Sequence, residues 1–193
     1  GTGVAFRPNG GATVAPASTH ARDLAARPRE SGTLLTGAQM SKLWAHVKRI
    51  DNFWTSLDEI ESGAVALLAS AAAKHRWEVI FLTQRPDTSG ETAQVQSQRW
   101  RNAHGFELPS VYVMTGSRGK VASAFDLDAL IDDSPDNCLD VTVDSSARPF
   151  LVWRDSPDTV KANATRAGIT VARSVAEVVG ELTHLEAHDE RPS

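Results

Sequence analysis

Glu78-Val79-Ile80-Phe81-Leu82-Thr83, followed by Gln84-Arg85-Pro86, decides the fold. A short, nearly continuous apolar run of this kind reads as a buried strand. On its carboxyl side, residues 90–104 read as a helix ended by His104-Gly105-Phe106, with glycine as the cap. Strand Val111-Tyr112-Val113-Met114 follows, then a short helix around 119–125 and strand Ala129-Leu130-Ile131-Asp132. Ser134-Pro135 reads as a helix N-cap with proline at the first helical position. Phe150-Leu151-Val152-Trp153 is a further strand, and a helix near 158–167 leads to Ile169-Thr170-Val171 and a last helix near 174–187. Strands alternating with helices imply right-handed crossovers and a parallel sheet, hence an α/β fold.

On the amino side, the Ala- and Leu-rich residues 63–75 form a helix closed by Lys74, His75 and Arg76, cations that suit the negative end of its dipole. Leu43, Trp44, Val47 and Ile50 give one apolar helical face from Gln39 onward. Ser56-Leu57-Asp58-Glu59 has capping-box spacing and is expected to open a short turn. Residues 1–36 are rich in Gly, Ala, Thr, Pro and Arg without periodicity and read as an irregular or disordered segment. Within them only Val4-Ala5-Phe6 reads as a short strand. The start at Gly1 rather than Met fits a truncated or processed beginning.

Composition narrows the classes. The 193 residues suit one domain, with room for a small insert. A single cysteine, Cys138, excludes an internal disulfide and fits a reducing, cytoplasmic setting. The net charge of −4, with signs interspersed, argues against a nucleic-acid partner. No apolar run reaches the roughly 20 residues that span a bilayer, so no membrane partner is expected. The oligomeric state is not readable.

In parallel α/β sheets ligands bind beyond the carboxyl ends of the strands. Thr83-Gln84-Arg85, Thr115-Gly116-Ser117, Asp132-Asp133 and Arg154-Asp155 fall there. Asp132 and Asp133 are an adjacent acidic pair, and a hard cation relieves their repulsion; Mg²⁺ takes one or two carboxylates plus water and phosphate. The alternative is a turn with two solvated acids. Thr83 offers a hydroxyl to a phosphoryl oxygen, or is simply a residue that favours strands. Lys120 opens a helix after Gly116-Ser117-Arg118-Gly119, which places an ammonium beside a helix N-terminus, or is an ordinary exposed lysine. The loop is not a nucleotide P-loop, because Met114 and Val121 stand where glycine and a hydroxyl residue are needed.

Together, Phe81-Leu82-Thr83-Gln84-Arg85-Pro86, Gly119-Lys120 and Ile131-Asp132-Asp133-Ser134-Pro135-Asp136-Asn137 resemble, in order and spacing, motifs II, III and IV of the haloacid dehalogenase (HAD) superfamily, most closely its nucleotidase-like branch. The resemblance covers roughly residues 60–185. It implies a Rossmann-like three-layer sandwich with a mainly parallel sheet and Mg²⁺-dependent phosphoryl transfer on a small phosphorylated molecule. It implies that Thr83 and Lys120 are catalytic, that Thr83, Gln84 and Lys120 bind phosphate, and that Asp132 and Asp133 hold Mg²⁺. It divides the chain into the segment 1–36, a helical cap segment 37–60, a core 61–187 and a tail 188–193.

The family's nucleophile, the first aspartate of an Asp-x-Asp, has no counterpart. Asp126 and Asp128 are the one such pair, and they precede a strand rather than end it. Where the motif belongs, Val4-Ala5-Phe6 is followed by Arg7 and Asn9, which can neither attack phosphorus nor shuttle a proton. Asp51 or Asp155 would need unusual placement to substitute. Two expectations stand: a phosphohydrolase, or a non-catalytic ligand-binding or interaction domain on the same scaffold.

Other features read as structural. Trp44, Phe53 and Trp54 either contact a substrate from the cap or, as favoured, pack their helix on the core. Arg99-Trp100-Arg101 reads as a helix face with Trp100 inward, and His184 and His188 as part of a frayed terminal helix. Cys138, between apolar neighbours, is expected to be buried rather than reactive.

Overall fold

The computed structural model describes residues 2–6, 36–154 and 158–189. Six strands, β1 (Thr2–Phe6), β2 (Ile80–Thr83), β3 (Ser110–Val113), β4 (Ala129–Asp132), β5 (Arg148–Val152) and β6 (Thr170–Ala172), form one sheet in the order β3-β2-β1-β4-β5-β6. The helices are α1 (Gly37–Val47), α2 (Ala64–His75), α3 (Ala93–Ala103), α4 (Arg118–Ala124), α5 (Pro135–Asp144), α6 (Asp158–Arg166) and α7 (Val175–Asp189), with one 3₁₀ turn among the described residues, at Phe53–Thr55. The fold is α/β, compatible with a Rossmann-like arrangement.

Local chemistry sets the element ends. Thr36 and Gln39 cap α1 reciprocally, so that helix starts two residues before its apolar face. Ser134 caps α5 with Pro135 at the first position. Gly105, at φ +94°, turns the chain after α3, where Phe106 N–H bonds to the Arg101 carbonyl. The turn expected at Ser56–Glu59 does not form as read. The 3₁₀ turn lies earlier, and Glu59 reaches forward instead, accepting from the N–H groups of Gly63 and Val65 to cap α2. Helix α7 continues to Asp189, two residues into the stretch read as tail.

The parallel expectation holds for β2–β3, β4–β5 and β5–β6. It fails for β1, which lies between β2 and β4 and runs antiparallel to both. Antiparallel neighbours accept either connection geometry, and the chain between β1 and α1 is long enough to return from either rim. Val4-Ala5-Phe6 is thus strand, but its carboxyl end lies at the rim opposite Thr83, since Ala5 pairs with Ile80 and Thr2 with Thr83.

Side-chain alternation divides the core. Phe81, Ile131, Phe150 and Val152 pack with Leu68 and Ala72 of α2 and Val178 and Leu182 of α7. Leu82 and Leu130 pack the other way, with Ala122 of α4 and Val141 of α5. Cys138 is fully buried with Leu151, Ala164 and Ile169. Burial, and then the nearby charges of Asp132 and Asp133, push its thiol well above the ordinary range. It is therefore expected to resist thiol reagents at pH 8 until the chain unfolds; rapid stoichiometric labelling of native protein would contradict this placement. Among the described residues no helix is long and apolar enough to cross a membrane.

Candidate functional site

Thr83 and Asp132 end strands on either side of β1, about 10 Å apart by two inter-strand spacings, at heights differing by one residue. Both are buried. They do not leave the sheet on the same side. Thr83 shares the face of Phe81, toward α2 and α7, whereas Asp132 shares that of Leu130, toward α4 and α5. Asp133, half-buried, follows just past the end of β4. Gln84 is exposed beside Thr83.

Asp132 is held tightly. Its Oδ1 accepts from Ser134 N–H at 2.9 Å and Asn137 Nδ2 at 3.0 Å. Its Oδ2 faces the Arg118 Nε at 3.5 Å, with both side chains essentially without solvent contact. Oδ2 is buried and accepts no hydrogen bond. The cation at the acidic pair is therefore Arg118, at the first position of α4. Lys120, two residues on, is exposed, and its backbone N–H donates to the Ser117 hydroxyl oxygen, which caps the helix. Gly119 between them explains the packing: a Cβ there would lie 2.0 Å from the Asp140 carbonyl oxygen of α5. Only a glycine lets α4 approach α5 this closely and bring Arg118 onto Asp132.

A small cleft of about 30 Å³ opens beside Asp132, lined by Glu59, Glu61, Trp100, Ile131 and Arg154 among others. It holds one or two waters or a bare ion, not a phosphate ester, whose sites run to roughly 300 Å³ or more. Glu61 accepts from Val175 and Ala176 N–H at the start of α7 and pairs with Arg154 at 2.6 Å. Glu59 does the same for α2. Carboxylates of the chain thus fill the anion positions of both helix N-termini, and the acids around the cleft outnumber its one arginine. Asp132 Oδ2 accepts no hydrogen bond but faces Arg118 on the α4 and α5 side of the sheet, away from this cleft; with Asp133 adjacent, the pair has the donor chemistry of a Mg²⁺ site, which needs only one or two carboxylates. No group of three or more His, Cys, Asp or Glu able to hold a metal assembles among the described residues.

The other sequence candidates lie apart. Asp126 and Asp128 precede β4, at the far rim. Asp51 is exposed, with Oδ2 accepting from Asn52 Nδ2 in the loop after α1. Arg7, Asn9 and Asp155 lie outside the described residues. Trp54 is buried as packing, its Nε1 donating to the Pro86 carbonyl and its N–H to Gln96 Oε1. Trp100 points inward as expected, but so does Arg101. Sequence reasoning missed Arg118, Glu59, Glu61 and the burial of Arg85 and Arg101. A cation two residues ahead of Lys120 was visible; its burial was not. No family model, curated protein or solved structure matches the chain.

Proposed function

We propose that the chain is a HAD-like domain, a three-layer Rossmann-like sandwich, that binds Mg²⁺ and a small phosphorylated molecule at the carboxyl rim of β2 and β4 without transferring the phosphoryl group itself. The observation that carries the reading is the strand between Thr83 and Asp132. Thr2–Phe6 holds no carboxylate, and it runs so that its carboxyl end points to the other rim. A phosphoryl-transfer site without its nucleophile loses on the order of a million-fold in rate, while binding groups are retained. Asp132 and Asp133 would hold Mg²⁺, which supplies charge neutralisation for phosphate oxygens. Gln84, exposed beside the buried Thr83, would meet the ligand from β2, and the exposed Lys120 would add charge at the rim. The buried single thiol and the lack of a membrane-crossing helix among the described residues suit a cytoplasmic setting.

The second reading, Mg²⁺-dependent hydrolysis of a small phosphate ester, is favoured by the order of the three motifs. One experiment separates the two. With p-nitrophenyl phosphate and Mg²⁺, no turnover above the protein-free rate is expected. Calorimetry should show Mg²⁺ binding weakened at least ~10-fold by Asp133→Asn. Magnesium-dependent turnover abolished by Asp133→Asn would establish the hydrolase instead, and the absence of any Mg²⁺ binding would end both readings.

A further inference from the structure

Two arginines near the tip of β2 stand out among the charges of the described residues. Arg85 and Arg101 are buried, at 6% and 1% exposure. Their guanidinium groups converge on one residue of α3: Arg85 Nη1 donates to Ser97 Oγ at 2.9 Å, and Arg101 Nη1 donates to the Ser97 carbonyl at 3.0 Å. No carboxylate of the described residues forms an ion pair with either. Both Nε atoms are buried and lack a hydrogen-bond partner. Arg85 lies over Trp54 at 4.9 Å, and Arg101 over Phe81 at 4.4 Å.

Aromatic faces and one serine return only part of what a guanidinium loses on leaving water. Two such groups side by side also repel. Burial lowers Arg85 to about 10, and burial followed by the charge of Arg85 lowers Arg101 well below its ordinary range. Buried charges in folded proteins are ordinarily paired. Guanidinium forks are matched to oxyanions, which they bind through two parallel N–H groups.

We infer that Arg85, Arg101 and Ser97 form an oxyanion site for a phosphate or carboxylate group, distinct from the acidic pair at the tip of β4. The anion supplies the counter-charge that this cluster lacks and approaches from the Arg85 side, where the pair retains its surface. The site needs neither Mg²⁺ nor Asp133, so it stands or falls separately from the reading above.

The test is thermal unfolding of the full chain in EDTA, titrated with sodium phosphate, sodium acetate or sodium chloride at matched ionic strength. Phosphate or acetate is expected to raise Tm saturably while chloride does not, and whichever acts identifies the oxyanion class. Arg101→Met should weaken that effect at least ~10-fold in apparent affinity and, without the anion, should unfold at the wild-type temperature or above, because it removes an uncompensated buried charge. Asp133→Asn should leave the anion effect unchanged. An anion effect that survives in Arg101→Met, or that disappears in Asp133→Asn, would overturn the site. Should Arg101→Met fail to fold, the wild-type titration still decides: no saturable rise with either oxyanion up to about 50 mM, where even millimolar affinity would be near saturation, refutes it.

Discussion

Asp132→Asn is expected to lower the unfolding free energy by about 3 kcal/mol, and Asp132→Ala by about 5 kcal/mol, the range found when one member of a buried ion pair is removed. The carboxylate is fully buried, faces the equally buried Arg118 at 3.5 Å and accepts two hydrogen bonds through its other oxygen. Asparagine keeps an acceptor for Ser134 and Asn137 but withdraws the negative charge facing Arg118. Alanine removes both. Urea denaturation would show this as a fall in midpoint at unchanged slope. Wild-type stability in Asp132→Asn would mean that the pair with Arg118 contributes nothing. The consequence for function is direct. An inactive or non-binding Asp132 variant reports on folding as much as on metal, whereas Asp133, half-buried beyond the end of β4, is the cleaner probe.

Gly119→Ala is expected to cost about 3 kcal/mol or more, the upper end for overpacking. The added methyl would stand 2.0 Å from the Asp140 carbonyl oxygen and 2.6 Å from the Asp144 Cβ. The first of these is backbone in the middle of α5, and it cannot swing aside as a side chain would. Relief requires α4 to lift from α5, which also draws Arg118 away from Asp132. Gly180→Ala in α7 serves as the control with opposite sign. Nothing lies within 4 Å of its would-be Cβ, so a helix-interior gain of roughly 0.5–1 kcal/mol is expected. Calorimetric melting of the two variants checks both; equal small effects would show that the α4–α5 contact is looser than described.

Most of the element list was legible because it rests on local signals. The run at 79–83, the Ser134-Pro135 cap and the glycine after His104 each act within a few residues, and all three are found. The site was legible only as far as the strand tips. Thr83 and Asp132 do end β2 and β4 at one rim. Which cation meets Asp132 depends on how α4 lies against α5, a contact between residues more than 20 apart that spacing in the chain cannot reveal. The same holds for Glu61, which caps α7 from 114 residues away.

The sequence by itself determined the alternation of strand and helix, the burial of Cys138 and the lack of any acid on the first strand, since these follow from residue type and short-range periodicity. Tertiary structure alone decided that β1 enters the sheet reversed, that Arg118 rather than Lys120 faces the acidic pair, and that Arg85 and Arg101 share one buried serine. Strand direction and charge pairing are settled by what packs across the sheet, and the free energy of burying a charge depends on neighbours that the chain brings close only once it is folded.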